Sequence, residues 1–310
     1  IQKGLDLYIK SAQQNYGPAQ YNLSVLYLDG IHVPKNIKKG LKYLKMAVKQ
    51  NLGAAQYNMG NLYDIGIEIP QDMKKAIYYY RLASDNNVAK AQYNLGWIYY
   101  NGKSVKKNKS LAQKYYRLAV QNGHLQSHTN LALIYDKKNA SQSELKEAIR
   151  LYKIAAEKNE TTAMFNLALK YENGIGVEKD IPKALDLLTE AASLGHRASQ
   201  YNLGWMYKNG KNVIKSYEKA IKFYELASDQ GDELAQYNLG LLYHKGEGVK
   251  KDLKKAIQLY LSAAENNVPK AQYNLGLIYK NGEDNKKEFK KAFKFFSLAS
   301  ENDLSKAHYQ

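Results

Sequence analysis

The sequence predicts an all-α fold, a solenoid of about eight helical hairpins that are each 36 residues long. Three observations predict it. The string Ala-Gln-Tyr-Asn-Leu-Gly, or a close variant, returns every 36 residues. Apolar residues within each copy follow helical spacing, and Gly, Asn or Asp recur between the helical segments. Because a repeat protein grows by adding units, the 310 residues need not form two globular domains.

The recurring string sets the register of the repeat, and its first residue is position 1 throughout. Full repeats start at residues 19, 55, 91, 127, 163, 199, 235 and 271. Residues 1–18 form a half-repeat, and residues 307–310 begin a further repeat. The sequence therefore predicts a single solenoid over 1–310. We expect a fragment of a longer protein, because the chain opens at Ile1 without Met and stops inside a motif.

Each repeat contains two helical segments. Positions 1, 5, 8, 9 and 12 share one face of helix A, over about positions 1–11, and positions 22, 25, 26 and 29 share one face of helix B, over about positions 19–32. Small residues at positions 1, 6, 22 and 29 let the helices approach closely. We expect the Tyr at position 9 to lie in the core. We expect the Asn at position 4 to bond a backbone carbonyl.

The residues between the helical segments predict where each helix begins and ends. Gly at position 12, with Lys138 as the exception, predicts a left-handed residue after helix A. Asn, Asp or Ser at position 18 in six repeats predicts the N-cap of helix B. Asn, Gly or Asp at position 33 predicts where helix B stops.

The segment Ala235-Gln-Tyr-Asn-Leu-Gly-Leu-Leu-Tyr-His-Lys-Gly-Glu-Gly-Val249, followed by Asp252 and Lys255-Ala256, resembles the Sel-one-like repeat (SLR) family. The resemblance covers essentially the whole chain. The family is related to tetratricopeptide repeats, whose period is about 34 residues. The resemblance implies a right-handed αα-superhelix with helix A on its concave side, and a non-enzymatic scaffold or adaptor role. Some bacterial members have a disulfide in each repeat, and this chain has no Cys.

The candidate binding residues lie on helix A at positions 3, 7, 10 and 11, by analogy with tetratricopeptide repeats. Positions 3 and 7 are one helical turn apart and share a face. Large aromatic side chains at these positions would grip a peptide or protein, although position 3 would also serve for packing between helices. The predicted groove residues are Tyr57, Tyr93, Trp97, Tyr100, Tyr201, Trp205, Lys208 and Tyr237. The irregular repeats that start at 127 and 163 place specificity between residues 93 and 209.

The net charge of +17 allows two interpretations. It indicates either an acidic partner or lysines that only solvate an outer face. The scarcity of Arg argues against nucleic acid, because Arg is favoured for recognising phosphates and bases. A basic surface for nucleic acid or anionic membrane remains an alternative function, as does a regulatory segment of a larger protein such as a kinase.

No cofactor, metal site or catalytic motif is predicted. His124 and His128 have the spacing of a metal pair, but position 34 lies in a turn and no carboxylate is near as a third ligand. The absence of Cys excludes disulfides and thiolate metal sites. No apolar run is long enough for a transmembrane segment. The sequence does not indicate a compartment.

Overall fold

The computed structural model describes residues 2–283 and 286–302, so the repeat start predicted at 307–310 lies outside the described residues. Every regular element in the described part is an α-helix. The helices are α1 (Gln2–Gln13), α2 (Gly17–Asp29), α3 (Ile37–Lys49), α4 (Gly53–Ile65), α5 (Met73–Asp85), α6 (Ala89–Asn101), α7 (Lys109–Gln121), α8 (Leu125–Tyr135), α9 (Gln142–Ala156), α10 (Thr161–Asn173), α11 (Ile181–Ser193), α12 (Arg197–Asn209), α13 (Tyr217–Asp229), α14 (Glu233–Lys245), α15 (Leu253–Glu265), α16 (Pro269–Asn281) and α17 (Phe289–Glu301). Even-numbered helices are helix A of a repeat, and odd-numbered helices are helix B.

The chain separates into two compact units, Ile1–Lys158 (unit 1) and Asn159–Gln310 (unit 2). Unit 1 holds α1 to α9, and unit 2 holds α10 to α17. Inside each unit, a helix A packs against helix B of its own repeat and against helix B of the preceding repeat. This stacking buries the Ala residues at positions 22 and 29, so each hairpin covers part of its neighbour's apolar face.

The predicted helix boundaries are confirmed at both ends of helix B. The side chains of Asn36, Asp72, Asn108, Asp180, Ser216 and Asp252 each accept a hydrogen bond from the backbone N–H three residues later. Position 33 has φ between 57° and 86° in the seven repeats where it is described. The Gly residues at position 12 have φ between 67° and 76°, which ends helix A as predicted.

Helix A begins two residues earlier than the sequence predicts, because position 34 of the preceding repeat is its N-cap. Asp232 accepts a hydrogen bond from the backbone N–H of Ala235 at 2.8 Å, and Glu160 accepts one from Ala163 at 2.7 Å. Leu52, by contrast, caps α4 without a side-chain hydrogen bond. Because the residue type at position 34 varies between repeats, the sequence does not reveal that this position is the N-cap of helix A.

The repeat at 127–162 has a different turn between its helices. With Lys138 at position 12, helix α8 ends at Tyr135, two residues before the usual end. Helix α9 begins early at Gln142, because Ser141 and Glu144 form a capping box. Ser141 donates its backbone N–H to Glu144 Oε2 at 2.8 Å, and Glu144 donates its own to Ser141 Oγ at 3.2 Å.

This capping box gives the chain a pH-dependent contact. The hydrogen bond from Lys137, followed by that from the Ser141 backbone, lowers the pKa of Glu144 from 4.5 to about 2. Because the folded-state pKa is below the unfolded value, this stabilisation is complete above about pH 4.5 and is lost as the pH falls towards 2. We predict that the wild-type melting temperature falls more steeply than that of Glu144→Gln between about pH 5 and pH 3. Equal slopes in circular-dichroism melts would contradict this assignment.

In five repeats, helix A and helix B approach closely because a Gly at position 6 lies against an aromatic ring at position 26. A Cβ atom on Gly276 would lie 2.5 Å from the ring of Phe296, closer than real Cβ contacts allow. The repeat with Leu188 at position 26 carries Ala168 at position 6. The Gly–aromatic pairs are Gly60–Tyr80, Gly96–Tyr116, Gly204–Tyr224, Gly240–Tyr260 and Gly276–Phe296; the repeat at 127–162 instead pairs Ala132 with Tyr152.

A ladder of buried amides connects successive helices, and the sequence did not predict it. Gln92, at position 2, donates to the backbone carbonyl of Ser84 at 3.1 Å and accepts from Asn122 at 2.9 Å. Gln200 makes the equivalent bonds in unit 2, to Ala192 and from Gln230. Position 2 thus bonds position 32 of the same repeat, which explains why Gln recurs in the repeated string.

Part of the lysine excess packs on the protein's own tyrosines. Lys at position 21 lies over the ring of the position-9 Tyr, with Nζ 4.2 to 5.4 Å from the ring centroid. These lysines are Lys39, Lys75, Lys183, Lys219, Lys255 and Lys291. The rings themselves are buried or half-buried, in agreement with the predicted core role of position 9. These contacts give a structural reason for some of the positive charge.

Candidate functional site

Position 7 of helix A carries two exposed tryptophans. Trp97 is 41% exposed and Trp205 is 37% exposed. Position 8, next to them, is filled by Ile98 and Met206, which are 1% and 2% exposed. Since position 8 closes the core, the tryptophan rings are left at the surface. Exposed Trp is characteristic of binding surfaces, because its large ring supplies much of the contact energy.

In unit 1, Trp97 lines a pocket with a volume of about 150 Å³ between α6 and α8. The other lining residues are Tyr100, Asn101, Tyr116, Asn130 and Leu133. Small-molecule sites usually have volumes of about 300–1,000 Å³, so this pocket suits a single side chain. Its rings and carboxamides offer both apolar contact and hydrogen bonds.

A lysine contacts the Trp97 ring on one side and is itself held by a carboxylate. Lys103, in the turn after α6, places Nζ 5.6 Å from the ring centroid of Trp97 and 2.8 Å from Asp64 Oδ1. Lys107 lies 5.4 Å from the ring centroid of Tyr100. Side chains that are held before binding lose less entropy on binding, which favours their use as anchors.

Unit 2 repeats this arrangement 108 residues later, at Trp205. Lys211 Nζ lies 5.5 Å from the Trp205 ring centroid and 2.8 Å from Glu172 Oε1. Lys208 stands where unit 1 has Tyr100, and it donates to Asn238 Oδ1 at 2.8 Å. Burial lowers the pKa of Lys208. The two tryptophan sites therefore share a design but differ in charge at position 10.

The predicted position-3 residues, Tyr57, Tyr93, Tyr201 and Tyr237, are half-buried. Each ring packs against the position-26 Tyr of its own repeat, with ring centroids 5.9 to 6.1 Å apart. Burial raises the pKa values of Tyr57, Tyr201 and Tyr237, which a hydrogen bond to the Asn of the next repeat partly opposes. These tyrosines hold the hairpins together, and a partner would touch only their exposed part.

The Asn at position 4 has more than one role. Asn166 and Asn238 donate to the backbone carbonyl four residues earlier, at 2.9 and 2.8 Å, as predicted. Asn58 instead donates to the Tyr21 hydroxyl of the preceding repeat at 3.2 Å. The residue therefore joins helix A to its neighbour.

Sequence reasoning missed four residues of the tryptophan sites. Asp64 and Glu172 lie at position 10, and their partners Lys103 and Lys211 lie at position 13 of the next repeat. The signal was an acidic residue followed 39 residues later by Lys. Position 13 follows the Gly that ends helix A, so helical spacing does not connect it to position 10 of the preceding repeat.

The histidine pair is used for local contacts. His124 Nδ1 lies 3.0 Å from Ser127 Oγ, and its ring stacks on Tyr93 with centroids 4.5 Å apart. Burial lowers the pKa of His124. Across residues 2–283 and 286–302, no group of three or more His, Cys, Asp or Glu is placed to hold a metal ion. No helix in the described part is long and apolar enough to cross a membrane.

The alternating helices and the 36-residue period define a helical-hairpin repeat protein. The Sel1 repeat model matches nearly the whole chain, and the chain belongs to the Sel1 repeat family. The family frame begins at residue 17, where helix A starts in the structure. The matched segments are 1–16, 17–52, 53–88, 89–124, 127–160, 161–196, 197–232, 234–268 and 269–304.

Two solved structures are similar over almost the whole chain. A protective antigen of uropathogenic Escherichia coli that displays an SLR fold is 26% identical, with a TM-score of 0.83 over 98% of this chain and 65% of that one. This chain therefore spans just under two thirds of that antigen's length. A Sel1 repeat protein from Oxalobacter formigenes is 23% identical, with a TM-score of 0.79 over 99% of this chain and 90% of that one. No curated protein matches the chain.

Proposed function

We propose that this chain is a non-enzymatic scaffold that binds a protein or peptide on the helix A face at positions 3, 7, 10 and 11. Membership of the Sel1 repeat family supports this role, since these repeats generally serve in protein interactions. The groups at the tryptophan sites are aromatic rings, carboxamides and lysines, and we assign none of them to catalysis.

The observation that carries the proposal is the exposed Trp97 beside a pocket the size of one side chain. Binding energy at protein interfaces concentrates in a few Trp, Tyr and Arg residues that lie against well-formed pockets. Here the core does not need the indole, a lysine holds it in place, and Leu133 extends the apolar surface on the next helix A. A partner side chain that enters the pocket would contact all three features at once.

Substitution of the two tryptophans tests the proposal. A partner captured from the native source should bind Trp97→Ala and Trp205→Ala at least about 30-fold more weakly than wild type, as expected for hot-spot residues. The melting temperature should stay within about 2 °C, because the rings lie outside the core. Isothermal titration calorimetry and thermal melts measure the two effects separately.

Tyr78→Ala is the matched control, since Tyr78 is an exposed aromatic on helix B, 57% exposed. It should leave partner affinity unchanged. If the tryptophan variants lose stability together with binding, the tryptophans are structural. Unchanged affinity in both Trp97→Ala and Trp205→Ala would refute the proposed binding face. A steep fall in affinity with salt, equal in all variants, would point to the basic-surface alternative instead.

A further inference from the structure

The two tryptophan sites differ at one of six equivalent positions. Each residue that lines the unit 1 pocket has a counterpart 108 residues later in unit 2. Five of the six counterparts have the same residue type, and the exception is Lys208, which replaces Tyr100. The equivalent pairs are Trp97 with Trp205, Asn101 with Asn209, Tyr116 with Tyr224, Asn130 with Asn238, and Leu133 with Leu241. The change at position 10 puts a cation where unit 1 has a neutral phenol.

The change also leaves a buried hydroxyl group without a partner. In unit 1, the Tyr116 hydroxyl bonds Asn130. In unit 2, Tyr224 is 0% exposed, and its hydroxyl has no hydrogen-bond partner among the described residues. The reason is that the Asn238 Nδ2 donors are already used for the Leu234 carbonyl and the Tyr201 hydroxyl, while its Oδ1 accepts from Lys208.

In two repeats, position 10 supplies an acceptor for the hydroxyl at position 26. Tyr80 donates to Asp64 Oδ2 at 3.2 Å, and Tyr152 donates to Asp136 Oδ2 at 3.3 Å. A lysine cannot accept a hydrogen bond, so the Tyr224 hydroxyl lacks this acceptor. The site in unit 2 therefore presents two donors, a phenol and an ammonium, where these two repeats pair a donor with an acceptor.

Nearby carboxylates do not neutralise Lys208. Among the described residues, no carboxylate lies within 4.0 Å of its Nζ. Glu247 acts on Lys208 only through its charge and lies 3.8 Å from Lys245, while Glu172 pairs with Lys211 at 2.8 Å. The half-buried ammonium is thus available to an anion from a partner.

We propose that the unit 2 site binds the carboxylate of an Asp or Glu side chain in a peptide partner. One carboxylate oxygen accepts from the Tyr224 hydroxyl, the other accepts from Lys208, and the methylene group packs on Trp205. Tyr116, only 1% exposed, lines the unit 1 pocket, and Tyr224 occupies the equivalent position in unit 2. This inference rests on the proposed function and adds the chemistry of the bound side chain.

A reciprocal exchange at position 10 tests it. Peptides selected on the full chain from a phage-displayed dodecamer library are synthesised with each acidic residue and with Gln or Asn in its place. We expect wild type to prefer the acid at one position by about tenfold or more, as for a charge-assisted hydrogen-bonded pair. Lys208→Tyr should reduce the preference to within about twofold of unity, and Tyr224→Phe should reduce it partly. Tyr100→Lys should create an acid preference in unit 1.

Lys222→Met is the control for net charge, because Lys222 is exposed on helix B. It should leave the acid preference unchanged. This inference alone would be overturned if peptides whose binding depends on Trp205 kept their acid preference in Lys208→Tyr. It would also be overturned if Lys222→Met reduced the acid preference as much as Lys208→Tyr does. A library that yields no peptide sensitive to Trp97→Ala or Trp205→Ala would overturn the proposed function as well. Thermal melts check that each variant is folded. Tyr is compatible with position 10, because the native chain carries Tyr100 there.

Discussion

Gly276→Val should reduce the free energy of unfolding by about 3 kcal/mol, the upper part of the range for an overpacked core. The Cβ atom would lie 2.5 Å from the Phe296 ring, and the two γ-methyl groups would add to the overlap. Relief requires α16 and α17 to separate, which opens the core around Leu275 and Ala299. Guanidinium unfolding measures the loss.

A double-mutant cycle shows whether this loss comes from the ring. Gly276→Ala alone should cost about 1 kcal/mol, since the clash exceeds the gain in helix propensity. Combined with Phe296→Leu it should cost less than the sum of the single changes, because Ala168 and Leu188 already form this pair in the same unit. Simple additivity would contradict the size match between positions 6 and 26.

Gln92→Met should cost about 2 kcal/mol through the amide ladder. Gln92 is 0% exposed, and its loss removes one hydrogen bond to the Ser84 carbonyl and one acceptor of Asn122. The expected loss is that of two buried hydrogen bonds, at about 1 kcal/mol each. The midpoint of denaturant unfolding reports the effect.

Adding Asn122→Leu to Gln92→Met should restore part of the loss. The repeat that starts at 163 carries Met164 at position 2 and Leu194 at position 32, so the ladder is replaced there by two apolar side chains. We expect a coupling of about 1 kcal/mol between the two sites, within the usual range for contacting residues. No coupling would mean that positions 2 and 32 do not act as a pair.

The sequence was sufficient where a structural feature depends on one residue type at one position. Gly at position 12 needs a left-handed backbone, and Asn, Asp or Ser at position 18 caps helix B through a bond three residues away. Both signals are local, so both predictions were confirmed. The different turn around Lys138 was likewise visible as a missing Gly, although the extended α9 helix was not predicted.

The sequence was insufficient where the partner lies in another helix. Gln92 meets Asn122 after 30 residues, and Lys103 meets Asp64 after 39, so neither pair follows from helical spacing. Helix A starts early because of a cap at position 34, where the residue type varies. These contacts depend on how hairpins stack, which the period alone does not specify.

The candidate site divides in the same way. That Trp97 and Trp205 are exposed followed from counting core positions along helix A, since position 8 already fills the core. The pocket needed Asn130 and Leu133 from the next repeat, and no pattern within one repeat shows them. The half-buried position-3 tyrosines show that shared spacing with Trp does not imply shared exposure.

We expect a bound partner to lie against the face of helix A that carries Trp97 and Trp205. The most direct measurement is photo-crosslinking with p-benzoyl-phenylalanine incorporated in place of Trp97, Trp205 or, as the helix B control, Tyr78. The proposed function predicts crosslinks to the captured partner from the first two positions and none from the third. Crosslinking from position 78 that equals or exceeds that from positions 97 and 205 would contradict it.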